Sequence, residues 1–296
     1  MKKTTGFLRL MRPANIVTSV ADVFAGIAIS GLFAESYFNI HYLSSVLLLS
    51  LATTGLYGGG VVFNDVFDAA LDRIERPERP IPSGVIPLRE AVILGALLLA
   101  GGIIAAVVCD PVSGLLALGI AICALVYDKW GKHFSILGPL NMGLCRGLNL
   151  LLGISIIPSA LNTWWGLAVV PIVYIASITM ISRGEVHGGS RGTLFTACFL
   201  YSLVIGFILY FSFITGKQWY ALAFLLPFSW MIFRPLLKAI REPVGRNIGK
   251  AVKAGVLALI LMNAAWAAAF GSLYFAMVIL LLLPVSLWLG RLFAVT

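Results

Sequence analysis

The sequence predicts an all-α fold: a polytopic transmembrane helical bundle of nine or ten spans, forming one domain over residues 1–296. Three observations predict it. The chain is 60% hydrophobic and only 11% charged, with a mean hydropathy of +1.00. Long apolar runs recur from one end to the other, and a hydrocarbon core about 30 Å thick takes about 20 such residues per helix. The runs also lack the polar alternation that a membrane β-barrel requires.

Candidate spans fall at 14–34, 42–63, 91–109, 112–127, 137–157, 164–181, 194–215, 219–237, 251–270 and 273–290. The first follows a basic start without a small-residue cleavage site, so it is expected to remain as an anchor. The second, eighth and ninth are the clearest spans; the fourth is short. The fifth carries an arginine, Arg146, between Asn141 and Asn149. Asp22 lies in the first. Ionisable groups at such depth face the bundle interior and find partners, so an Asp22–Arg146 pair is expected unless Arg146 reaches a bound anion. The last two spans decide between nine and ten. Cys109, Cys123, Cys145 and Cys198 lie in or beside apolar segments without C-x-x-C spacing and read as small apolar residues.

The formal net charge is +9, and its placement sets an orientation. With the N-terminus in the cytosol, Arg73, Arg76, Arg79, Arg89, Lys129, Lys132, Arg183, Arg191 and the Lys238–Lys253 cluster all fall on inner connections. Lys217 is the only basic residue on an outer one. This is the positive-inside distribution, expected of a multi-pass protein of the cytoplasmic (inner) membrane. Orientation and contact with anionic membrane lipid account for the positive charge, so no nucleic acid partner is needed.

Polar chemistry concentrates in three inner loops. The run N-D-V-F-D-A-A-L-D closes the second span with Asn64, Asp65, Asp68 and Asp72. Positions i, i+3, i+4 and i+7 share a helix face, so these four are expected on one stripe. Hard oxygen ligands of this kind suit Mg²⁺, which favours carboxylates together with substrate phosphate oxygens. Arg73, Arg76 and Arg79 follow, and Pro77, Pro80 and Pro82 then end the helix. Carboxylates beside arginines match a diphosphate–magnesium complex, because guanidinium binds the free oxygens in a fork. Arg76 reads more readily as a partner of Glu75 or Glu78; Arg79, in R-P-I-P-S-G, reads as a phosphate ligand. The second loop, Y-D-K-W-G-K-H, offers Tyr127, Lys129 and Lys132, either as phosphate donors or as membrane anchors. The third, S-R-G-E-V-H-G-G-S-R-G-T-L, sets Glu185 and His187 among glycines, between Arg183 and Arg191. Glycine lets backbone N–H groups approach an anion, Glu185 can serve as metal ligand or base, and His187 can exchange a proton near neutral pH.

These residues resemble a known family. N-D-x-x-D-x-x-x-D followed by R-P-x-P-S-G is similar to the first aspartate-rich motif of the UbiA-type intramembrane prenyltransferases. The early R-P-A-N, the Y-x-x-x-x-K after span four and the polar loop after span six fall in the family's order. The resemblance covers essentially the whole chain. It implies a bundle, usually of nine spans, around a central lateral cavity that binds a polyprenyl diphosphate donor through Mg²⁺. Asn64, Asp65, Asp68 and Asp72 would then be metal ligands, with Arg79 and Lys132 on the diphosphate. The family's usual D-x-x-x-D after span six is missing, and only Glu185 can replace a carboxylate there. That segment, with G-P-L-N-M-G-L-C-R-G-L-N before it, resembles the EboC-like branch.

The expected activity is Mg²⁺-dependent transfer of a prenyl group from an allylic diphosphate to a lipophilic acceptor. Arg73, Arg146 and Arg183 would add diphosphate contacts, Tyr57 or Phe67 would face the allylic cation, and Glu185 or His187 would orient or deprotonate the acceptor. Two alternatives remain open at this point: a UbiA-like terpene cyclase or lyase, and a non-enzymatic membrane carrier of a lipophilic metabolite.

Overall fold

The computed structural model describes residues 3–32, 41–186 and 188–293. Among them it contains thirteen α-helices, two short 3₁₀ turns and no strand. Eight helical segments are long and apolar enough to cross a membrane. They are α3 (His41–Phe67), α5 (Leu88–Cys109), α6 (Pro111–Lys129), the pair α8 (Pro158–Trp164) and α9 (Val169–Ser182), α10 (Arg191–Ile214), α11 (Gln218–Arg241), α12 (Gly245–Ala269) and α13 (Leu273–Leu292). The two remaining spans of the sequence reading are α2 (Pro13–Ile29) and α7 (Leu137–Ile154), which carry the intramembrane Asp22, Arg146 and Asn149. Each of the ten expected spans thus overlaps a helix, the end of the first (residues 33 and 34) lying outside the described residues. The short helices α1 (Lys3–Met11) and α4 (Ala69–Glu75) flank the ends of α2 and α3.

Local chemistry sets the boundaries. The fourth span is a full helix because Asp110 caps it, accepting from the Val112 N–H at 2.7 Å, with Pro111 at the first turn. Ser190 caps α10 by accepting from the Thr193 N–H at 3.1 Å. The acidic helix α4 stops at Glu75, before Pro77.

The core is built around α12, which α2, α9, α11 and α13 surround. Its run from Ala264 to Ala269 is buried throughout and contains the fully buried Trp266. By contrast α5 and α13 turn most of their surface outward, as helices facing lipid do. In lipid, helices associate through close packing and small residues more than through hydrophobic burial. The α2–α7 contact follows this rule: a Cβ on Gly26 would lie 2.2 Å from the Leu150 carbonyl oxygen, and one on Gly153 would lie 2.2 Å from that of Val23. The two backbones touch only because neither position carries a side chain.

Candidate active site

The contact of α3, α6 and α7 leaves a cavity of about 260 Å³. From α3 it is lined by Thr53, Tyr57, Gly60 and Asn64, a helical stripe about 16 Å long at 1.5 Å per residue. Ile120, Ala124 and Met142 add apolar wall. Arg12 closes one side of the mouth, and Arg146 and Asn149 form a polar floor.

Around the mouth every acidic group is matched by a donor. Arg12 bonds Asp65 at 2.6 Å; Arg79 bonds Asp72 at 2.8 Å and reaches Asp65 at 3.4 Å. Lys132 pairs with Asp68, and the Asn64 amide donates to Asp128 at 2.9 Å. The expected single stripe therefore divides. Asn64 and Asp68, four residues apart, turn toward the end of α6, while Asp65 and Asp72, seven apart, turn toward Arg12 and the proline-rich loop. The helix ladder continues through the break between α3 and α4, with Asp68 N–H on Asn64 O at 3.0 Å and Asp72 N–H on Asp68 O at 2.8 Å. Consequently all four stay on one continuous stretch of a little over two helical turns.

The sequence reading missed two residues. Asp128, buried beside Asn64, had a visible signal: an acid in the last turn of a helix opposes the macrodipole and needs another reason to be there. Arg12 enters the sequence reading only as the first residue of R-P-A-N and as one of the basic residues before the first span, with no site role. It adopts φ 48° and ψ 65°, a left-handed conformation that is costly for a side-chain-bearing residue.

The other expected residues separate. Arg146 is buried against Asp22 at 2.7 Å and Thr18 at 2.9 Å, with its guanidinium 4.9 Å from the Tyr57 ring centroid. It faces the cavity as half of an ion pair. Asn149 and Asn263 complete the shell of Asp22, at 3.1 Å and 2.7 Å. Arg183 donates to the Lys132 carbonyl at 3.2 Å and to the Phe134 carbonyl, tying the α6–α7 and α9–α10 loops together. Arg73 is exposed and lies outside the cavity wall, as does Phe67. Glu185 does not line this cavity either; it lines a neighbouring one that shares Arg12. Its carboxyl is raised above its ordinary value by desolvation, with Arg76 pulling the other way. His187 lies outside the described residues.

The glycine-rich loop is not an open anion nest. Gly188 N–H bonds Gly184 O at 3.0 Å and Gly189 N–H bonds Pro243 O at 3.2 Å. The loop is pressed against the α11–α12 turn, where a Cβ on Gly245 would lie 2.1 Å from the Glu185 carbonyl oxygen. Gly184, Gly188 and Gly189 serve close packing.

Fold and site together define a class: an integral membrane helical bundle with a charge-compensated polar mouth over an apolar-walled cavity. The chain belongs to the UbiA prenyltransferase family, whose profile matches residues 23–250. Relatives include digeranylgeranylglyceryl phosphate synthases from Methanosarcina barkeri, 38% identical over 38% of this chain and 39% of the relative, and from Ignicoccus hospitalis, 29% identical over 63% and 59%. The matched part thus spans less than two thirds of either relative's length. These similarities place the chain in the family without singling out the EboC-like branch. Among solved structures, a UbiA homolog from Aeropyrum pernix superposes with a TM-score of 0.68 at 18% identity, covering 84% of this chain and 96% of that one. A homolog from Archaeoglobus fulgidus bound to GPP and Mg²⁺ does so with 0.63 at 18% identity, covering 86% and 99%.

Proposed function

We propose that this protein transfers a prenyl group from an allylic polyprenyl diphosphate to a lipophilic acceptor, with Mg²⁺ as cofactor. The observation that carries the reading is the mouth itself: four aspartates and an asparagine, held by Arg12, Arg79 and Lys132 over an apolar-walled cavity. Among the described residues no three acidic, histidine or cysteine side chains already form a metal cage. The donor set nevertheless fits a hard cation, because Asn64, Asp68 and Asp128 on one side and Asp65 and Asp72 on the other offer only oxygen ligands. Bound there, Mg²⁺ would neutralise charge on the departing diphosphate.

In the same step Arg79, Lys132 and Arg12 would exchange their carboxylate partners for diphosphate oxygens, so the cations now balancing the site would become its substrate ligands. The allylic C–O bond breaks with its electron pair leaving on the diphosphate. Tyr57 and the apolar wall shield the resulting allylic cation from water. An acceptor oxygen then forms the new C–O bond and gives up its proton, for which Glu185 is the proposed base. Arg183 acts by position, holding Lys132's loop. Arg146 acts by supporting the floor.

The relatives' product carries two geranylgeranyl groups on glyceryl phosphate, which supports a glyceryl phosphate lipid as the acceptor class here. The basic loops support a cytosolic N-terminus and a mouth on the cytosolic side of the cytoplasmic membrane. Membranes assayed with labelled geranylgeranyl diphosphate test the reading, with Asp65→Ala and Asp68→Ala as controls. The expected result is a prenylated conjugate whose formation needs Mg²⁺ and falls about 100-fold in each variant. Cyclised or eliminated hydrocarbon, full activity in both variants, or metabolite flux without a diphosphate donor would each reject it.

A further inference from the structure

A second cavity, of about 460 Å³, opens beside the first between the start of α2, the loop after α9, and helices α12 and α13. Arg12 lines both. Most of its wall lies outside the family match, which begins at residue 23 and ends at residue 250: Arg12 and Asn15 precede it, and Lys253, Ser286 and Arg291 follow it. The space is held open by absent side chains. A Cβ on Gly249 would meet no atom within 4 Å, and one on Gly290 would meet only the Ala14 Cβ, at 3.8 Å.

The lining is divided by polarity. Val256, Leu257 and Leu287 supply an apolar side. Arg12, Lys253, Arg291 and Glu185 supply charge, and among the described residues Lys253, Arg291 and Glu185 have no ion-pair partner. Two uncommitted cations at a membrane surface commonly face anionic lipid and nothing more. Here they border a cavity with an apolar wall, the Glu185 carboxylate, which Arg76 attracts without forming a salt bridge, and a direct boundary with the candidate active site. An amphiphile with a phosphate, a hydroxyl and an apolar chain matches every part of that wall. A diphosphate donor matches it less well, because Glu185 would repel the second phosphate.

We infer that this second cavity seats the phosphate head of the acceptor lipid, with Lys253 and Arg291 on the phosphate, Glu185 accepting from a headgroup hydroxyl, and Val256, Leu257 and Leu287 against the start of the chain. The inference rests on the prenyl-transfer reading and names the acceptor side of it.

The test uses the full chain in phosphatidylcholine nanodiscs with Mg²⁺ and geranylgeranyl diphosphate. Two acceptors are compared: geranylgeranylglyceryl phosphate and its phosphate-free counterpart, geranylgeranylglycerol. The Lys253→Gln/Arg291→Gln double variant is expected to raise KM for the phosphorylated acceptor about tenfold or more, the loss of charge-assisted contacts. Its KM for the donor and its turnover of the phosphate-free acceptor should stay at wild-type values. Gly249→Phe, at a position where a Cβ would meet no atom within 4 Å, is directed into this space and should weaken use of both acceptors and leave donor KM unchanged. Unchanged acceptor KM in both variants, with transfer intact, would overturn the cavity assignment and leave the transferase standing. Absence of transfer by the wild-type protein would instead overturn the reading beneath it. A thermal stabilisation by added phosphatidylglycerol equal to that by the acceptor, and lost in the double variant, would overturn the acceptor assignment in favour of a bound membrane lipid.

Discussion

Lys132 and Asp68 lie 64 residues apart in sequence and meet at the mouth of the cavity. Because both are partly exposed there, water can replace either partner, so the pair holds charge in place more than it stabilises the fold. Lys132→Gln is therefore expected to leave the melting temperature nearly unchanged and to raise the donor KM about tenfold, read from initial rates against donor concentration. Glu185 makes a pH prediction. Its folded pKa is raised by desolvation, against the opposing pull of Arg76, and a base works in its ionised form. As pH falls, the ionised fraction is thus lost earlier, at higher pH, than for an ordinary carboxylate. The profile of kcat/KM should show an acid limb displaced upward, and Glu185→Gln should remove that limb. A limb that survives the substitution would exclude Glu185 as the base.

At the scale of elements, the glycine contact between α2 and α7 positions the cavity floor, since Asp22 on α2 must reach Arg146 on α7 at 2.7 Å. Gly153→Leu would force the backbones apart, because even a Cβ there comes within 2.2 Å of the Val23 carbonyl oxygen. A loss of about 1–3 kcal/mol or more is expected from overpacking, measured by unfolding in detergent. Gly206 is the matched control. It lies in α10, and a Cβ there meets nothing within 4 Å, so Gly206→Ala should be neutral or stabilise by about 0.5–1 kcal/mol through helix propensity alone. Equal losses in the two variants would refute the packing account.

Across the whole molecule, one buried carboxylate joins three helices: Asp22 on α2 receives Arg146 and Asn149 from α7 and Asn263 from α12. Such a pair adds little net stability compared with apolar replacements, yet removing one member strands the other charge. Asp22→Ala should therefore destabilise by about 3–5 kcal/mol, and Asp22→Leu/Arg146→Met should recover much of that loss, as thermal unfolding would show. A double variant no more stable than Asp22→Ala would mean that the network, and not the stranded charge, carries the effect.

Run length determined the helical architecture, because a bilayer imposes one span length on any helix that crosses it. The ten expected spans overlap ten helices, and the motif closing α3 lies at the mouth of the cavity. Membrane depth also offered Asp22 and Arg146 as partners, with an anion contact for Arg146 as the alternative, and the structure shows the pair. Tertiary structure alone decided the rest. Arg12 and Asp128 join the site only when α2 and α6 pack beside α3, and nothing local to R-P-A-N or Y-D-K tells which carboxylate or amide will face them. The same packing seats Glu185 on the second cavity and turns an apparent anion loop into a backbone contact. A side chain's partners across a bundle depend on how neighbouring helices rotate, and one helix's own periodicity does not encode that rotation.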